Sequence, residues 1–168
     1  HNNDRYSFAA CWEDFDNDGD VDLYVANDFG RNNLYRNDQG RFLDIAAEAR
    51  AEDSASGMSA AWSDVDQDGW MDLYVGNMFS SAGGRVTYQA DFKPHSSPEV
   101  RRRLQRFAKG SSLLKNQGNG RFTDMSEDAN VTLGRWSWSS NFVDLNNDSR
   151  DDILVANGYI TAEDTGDL

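Results

Sequence analysis

One cysteine, Cys11, is all the chain has, so no internal disulfide can form and the thiols say nothing of the redox compartment. A lone cysteine in a strand-like segment reads as a small buried apolar residue. Histidine is nearly absent: besides His1 there is His95, between Pro94 and Ser96 in a loop-like stretch. A nucleophile with an imidazole base therefore has little to be built from, and no enzyme activity is expected. No apolar run reaches the roughly 18 residues of a membrane-crossing helix, so no membrane span is expected. Positive charge is scarce, with 16 Lys and Arg against 29 Asp and Glu and a net charge of −13. That balance disfavours nucleic acid and anionic membranes and favours cations or basic surfaces.

Core-forming residues are plentiful. With 38% hydrophobic residues, 12% aromatics and five Trp, the chain is too apolar for a disordered acidic tail. Its 168 residues suit one domain. It starts at His1 rather than Met, which suggests a processed protein or a fragment.

A repeat organises the sequence. "DFDNDGDVDLYVAN" (14–27) returns as "DVDQDGWMDLYVGN" (64–77) and as "DLNNDSRDDILVAN" (144–157), at offsets of 50 and 80. "NLYRNDQGRFLDIA" (33–46) is echoed by "SLLKNQGNGRFTDMS" (112–126). Period-2 alternation places Phe8, Ala10 and Trp12 on one strand face, repeated by Met58, Ala60 and Trp62 and by Trp138, Ser140 and Phe142. Short apolar runs follow each acidic loop, and Asn/Gly turns separate two further strands. Four short antiparallel strands per unit of about 50 residues predict an all-β chain of β-propeller blades. The expected partial propeller over 1–168 has one blade at 7–46 and a second at 57–126 with an insertion at 78–110. A half blade at 136–157 completes it. Inside the insertion, Ser97 as N-cap, Pro98, Gly110 as C-cap and Val100, Leu104 and Phe107 at helical spacing predict one short amphipathic helix. Its basic face, Arg101, Arg102, Arg103, Arg106 and Lys109, is expected to lean toward the acidic loops; nucleic acid is disfavoured by the chain's overall charge.

Each loop spaces its acceptors at positions 1, 3, 5 and 9. These are Asp14, Asp16, Asp18 and Asp22; Asp64, Asp66, Asp68 and Asp72; and Asp144, Asn146, Asp148 and Asp152. Alternate side chains in a tight loop can converge on one point. Position 7 holds Asp20, Trp70 and Arg150, unrelated side chains as a main-chain carbonyl ligand would permit. Position 6 is Gly19 and Gly69 but Ser149 in the third loop, where strain or weaker binding is expected. All-oxygen donors suit Ca²⁺, about three ions in all, with Mg²⁺ and Mn²⁺ open as occupants. An EF-hand requires Glu at position 12 and flanking helices, whereas Val25, Val75 and Val155 stand there within strands. Asp, Asn and Gly also make good turns, but three copies in register, each keeping Asp at position 9, exceed what turns require.

The pattern DxDxDGxxDLYV followed by NxLYRNxxGRFxD resembles the FG-GAP or VCBS repeats of integrin alpha-subunit propellers. It is still more similar to bacterial UnbV-type and cartilage-acidic-protein-like repeat proteins. The resemblance covers residues 7 to 77 and 111 to 157. It implies an extracellular, cell-surface or periplasmic propeller, usually of about seven blades, with calcium held structurally in its loops. The expected function is a calcium-binding module for binding or adhesion to a protein or carbohydrate ligand. The remaining blades would come from the same or another chain. The alternative is a building block that assembles edge to edge into a calcium-dependent polymer; a non-catalytic part of a larger enzyme is a third reading.

Overall fold

The structure, a computed structural model, describes residues 5–157. The first sheet is built from β1 (Tyr6–Glu13), β2 (Asp22–Asp28), β4 (Asn33–Asp38) and β5 (Arg41–Asp44), antiparallel in that order, with the two-residue β3 (Gly30–Arg31) after β2. A short α1 (Ala46–Ala49) leads to β6 (Ser54–Ala55). The second sheet repeats the order with β7 (Gly57–Ser63), β8 (Asp72–Asn77), β9 (Ser112–Asn116) and β10 (Phe122–Asp124). A third hairpin, β11 (Ser137–Val143) with β12 (Asp152–Asn157), starts another unit. This is the all-β, partial-propeller architecture that the repeat predicts. Each first strand slips register at the same place, between Ser7 and Ala9, Gly57 and Ser59, and Ser137 and Ser139. A bulge there increases the local twist of each unit.

Stacking of one sheet on the next creates the core. Trp62 of β7 lies edge-on to Tyr24 of β2 at 6.2 Å and stacks on Phe15 at 6.4 Å. Phe142 of β11 meets Tyr74 of β8 in the same way, at 6.2 Å and 79°. An aromatic on the first strand of one blade thus seats on the second-strand tyrosine of the blade before it. Tyr24, Leu34, Leu73, Val75 and Phe122 are fully buried in the shared cluster. Burial of each such side chain stabilises the pair of sheets by about 1.5–3 kcal/mol. The small face of β1, Ala9 and Cys11, packs against this cluster, whereas Phe8 and Trp12 on the large face are exposed. Burial pushes the Cys11 thiol up to about 12, in keeping with an inert apolar residue.

Between blades the connections latch. Gly30 and Arg31 pair with Ala55 and Ser54, and Met78 bridges Trp136. Each segment leaving a second strand pairs with the segment entering the next blade.

The 78–110 insertion holds two helices rather than one. α3 (Pro98–Lys109) has the expected ends: Ser97 Oγ accepts from the Val100 N–H, Pro98 opens the helix and Gly110 caps it. α2 (Ser81–Thr87) was not foreseen, because Gly83 and Gly84 interrupt any helical reading; Ser80 caps it by accepting from the Gly83 N–H. The i, i+4, i+7 face of α3 is covered in part, with Leu104 and Phe107 half-buried. Ala108 is buried and Phe107 stacks on Phe29 at 5.6 Å, while Val100 stays exposed. Its basic residues do not reach the acidic loops: Arg103 pairs with Glu99, Arg106 with Asp53, and Lys109 with Asp124 and Glu127. Among the described residues no helix is long and apolar enough to cross a membrane.

Candidate metal centres

Each acidic loop joins the first and second strands of its blade, and its backbone is wound by its own carboxylates. The position-1 aspartate accepts from the N–H groups of positions 5 and 6. Asp14 takes Asp18 and Gly19 at 3.1 and 3.0 Å, Asp64 takes Asp68 and Gly69 at 2.9 and 2.8 Å, and Asp144 takes Asp148 and Ser149 at 3.1 and 2.9 Å. The position-5 aspartate accepts from position 7: Asp18 from Asp20, Asp68 from Trp70, Asp148 from Arg150. The position-9 aspartate reaches back to position 2, where Asp22 accepts from Phe15, Asp72 from Val65 and Asp152 from Leu145. These bonds use one lone pair on each oxygen and leave others for a cation.

Asp22 and Asp72 are fully buried. Their second oxygens accept from the N–H of Asn37 at 2.8 Å and Asn116 at 2.7 Å on the third strand. Burial pushes both carboxyls up to about 6, offset in part by those backbone donors, with the neighbouring loop carboxylates adding to the rise. The half blade has no third strand among the described residues, and Asp152 is correspondingly less buried.

Two loops gather three carboxylates within metal-binding reach: Asp14, Asp16 and Asp18, and Asp64, Asp66 and Asp72, each set with ligand atoms within 4.8 Å of one another. In the first, Asp16 Oδ1 is buried and has no hydrogen-bond partner. Burial and then the Asp18 and Asp14 charges raise its pKa. An orphaned carboxylate oxygen beside two like charges is costly unless a cation sits there. The donors are all hard oxygens, so the residues present fit a divalent ion of the calcium type. In the second loop a cation already leans in, since Lys115 Nζ hydrogen-bonds Asp66 and lies 3.5 Å from Asp68 Oδ2. In the third, Asn146 replaces the middle carboxylate and its amide donates to Asp148 at 3.1 Å. That loop forms no three-carboxylate group among the described residues.

The position-7 side chains all find occupations away from the loop centre. Asp20 accepts from the Gln39 N–H, the Trp70 ring lies against Gly118, and Arg150 is exposed. Ser149 adopts φ +68°, beside +92° at Gly19 and +87° at Gly69. A side chain in this left-handed region costs about 1–2 kcal/mol, and the extra freedom of an unfolded glycine offsets less than that. Ser149→Gly is therefore expected to stabilise the metal-free protein by about 0.5–1 kcal/mol in urea unfolding. A lower midpoint would show that Ser149 is not strained.

Sequence spacing gave no notice of position 4. Asn17, Gln67 and Asn147 all have positive φ. The Asn17 amide donates to the Gly69 carbonyl at 3.1 Å, and the Gln67 amide to the Ser149 carbonyl at 2.5 Å. The first and second loops thereby each hold position 6 of the next. The shared carboxamide at position 4 was the available signal, obscured because Asn in a turn needs no further explanation.

Stacked four-stranded antiparallel sheets with carboxylate-wound loops define a propeller-type repeat module. A family model for the FG-GAP-like repeat matches residues 14–75 and 106–155, and the chain belongs to that family. No curated protein sequence matches the chain significantly.

Proposed function

We propose that the chain is a calcium-stabilised, extracellular propeller module that works by binding or adhesion, to a protein or carbohydrate, rather than by catalysis. The observation that carries this reading is the repeated three-carboxylate group, with Asp16 Oδ1 buried and unpartnered inside one of them. Oxygen-only donors on a hairpin favour calcium over zinc or copper, and extracellular calcium modules bind their ion at about 0.1–1 mM. Calorimetric titration tests it. Wild-type protein is expected to take up calcium at two stronger sites and one weaker, third-loop site. Asp14→Asn with Asp16→Asn removes one strong site, and Asp64→Asn with Asp66→Asn removes the other. Magnesium should bind about tenfold or more weakly. Absence of calcium heat at millimolar concentration defeats the proposal.

A second reading, edge-to-edge assembly, is favoured by the two end faces. Trp12 occupies the repeat position of Trp62, and Leu154 that of Tyr24 and Tyr74, yet Trp12 is 56% and Leu154 50% exposed. Light scattering with and without calcium separates the readings, since calcium-dependent growth in mass belongs to the assembly.

A further inference from the structure

The insertion closes a cleft of about 300 Å³ against the α1–β6 connection and the second blade, remote in character from the acidic loops. Four arginines line it: Arg50 from the end of α1, and Arg102, Arg103 and Arg106 from α3. Four acids line it too, but each already has a cation. Asp53 is held by Arg106 at 2.5 Å and Glu99 by Arg103 at 2.8 Å. Glu52 and Asp124 are held from outside the cleft by Arg31 at 3.0 Å and Lys109 at 3.6 Å. Arg50 and Arg102 are left with no ion-pair partner among the described residues.

Two guanidiniums without counter-ions make this cleft a place where an anion gains. The chain's net charge is −13, but solvated charges beyond about 8–10 Å are largely screened, so the cleft's own groups decide. Arg50 also stands where a smaller residue would sit more easily. It adopts φ +59°, and the matching residue of the second blade, closed by the same backbone hydrogen bonds, is Asn130 at +55°. Asparagine tolerates this region and arginine gains nothing there from local structure.

The acids narrow the choice of anion. Glu52, Glu99 and Asp124 each spend part of their accepting capacity on a cation and keep lone pairs for hydroxyl donors, and Ser54 adds a hydroxyl to the wall. A bare inorganic anion would meet these carboxylates as repulsion, whereas a polyhydroxylated carboxylate would use both signs. We infer that the cleft between α3, the α1–β6 connection and the second blade binds an acidic sugar, its carboxylate held by Arg50 and Arg102 and its hydroxyls by the paired acids.

Titration with sodium glucuronate, followed by ¹H–¹⁵N NMR in calcium-containing buffer, tests this. Saturable shifts are expected at Arg50, Ser54 and Arg102. The variant R50N/R102Q keeps an αL-tolerant residue and an exposed helix position, so its melting point should match wild type while its affinity falls about tenfold or more. Glucose, which lacks the carboxylate, should not saturate. The proposal is overturned if glucuronate gives no saturable shift, if sodium sulfate binds as tightly as glucuronate, or if the variant binds like wild type.

Discussion

Excess EGTA is expected to lower the thermal unfolding midpoint of this protein by about 10–20 °C relative to millimolar calcium. An ion at 100 times its dissociation constant stabilises a fold by about 2.7 kcal/mol per site, and a chain of this size shifts by about 2–4 °C per kcal/mol. Two well-formed sites suffice for the effect. The charge argument points the same way: thirteen carboxylates lie within the three nine-residue loops, and three divalent ions would move the net charge from −13 to about −7. Without the ions, Asp14, Asp16 and Asp18 repel one another around a buried oxygen that nothing satisfies. Differential scanning calorimetry in calcium, in EGTA, and in EGTA followed by calcium would measure the shift and its reversal. A midpoint that stays put in EGTA removes calcium from the folding of this chain.

The second large effect lies at the seam that carries the insertion. Asp53 Oδ1 receives Arg106 at 2.5 Å, and Oδ2 receives the Asn77 amide at 2.7 Å and Ser112 Oγ at 2.8 Å; Ser112 Oγ also contacts Arg106. The Asp53 side chain is 1% exposed and that of Arg106 21%. In the first blade, Asn33 stands where Ser112 stands in the second, and its amide serves Asp44 instead. The shorter serine makes room for an arginine from outside the repeat. Asp53→Ala is expected to cost about 3–5 kcal/mol in urea unfolding, because it strands a guanidinium and an amide together. Proteolysis within 79–109 should accelerate in step. Replacing the pair, Asp53→Leu with Arg106→Met, should recover most of the loss, since an apolar pair leaves no orphaned charge. An Asp53→Ala cost under about 1 kcal/mol would mean that the ion pair does not hold the insertion down.

Much of this architecture could be read from the chain, for identifiable reasons. The strands showed themselves because "DLYVAN", "DLYVGN" and "DILVAN" each follow the same acidic turn, and local pattern and repeat spacing agreed. The loop carboxylates were visible because alternate spacing is itself the geometry. What could not be read depends on contacts between distant segments. Val100 looked like a core residue by spacing, but the part of that face that finds cover is Leu104 and Phe107, the latter stacked on Phe29 of the distant β2–β3 connection. The basic stripe of α3 looked destined for the acidic loops; Asp53, an unremarkable residue before β6, outcompetes them by being buried. Glycines hid α2, whose stability comes from packing against α3 and a serine cap rather than propensity.

The amides at position 4 give the row of loops a polarity. Every link points the same way, from Asn17 to the second loop and from Gln67 to the third. The third loop, which has the serine in a glycine conformation and an amide in place of a carboxylate, is therefore the downstream anchor for Gln67. Fraying that starts there frees Gln67 next and Asn17 last, so the weakest tip sets the sequence in which its neighbours come undone.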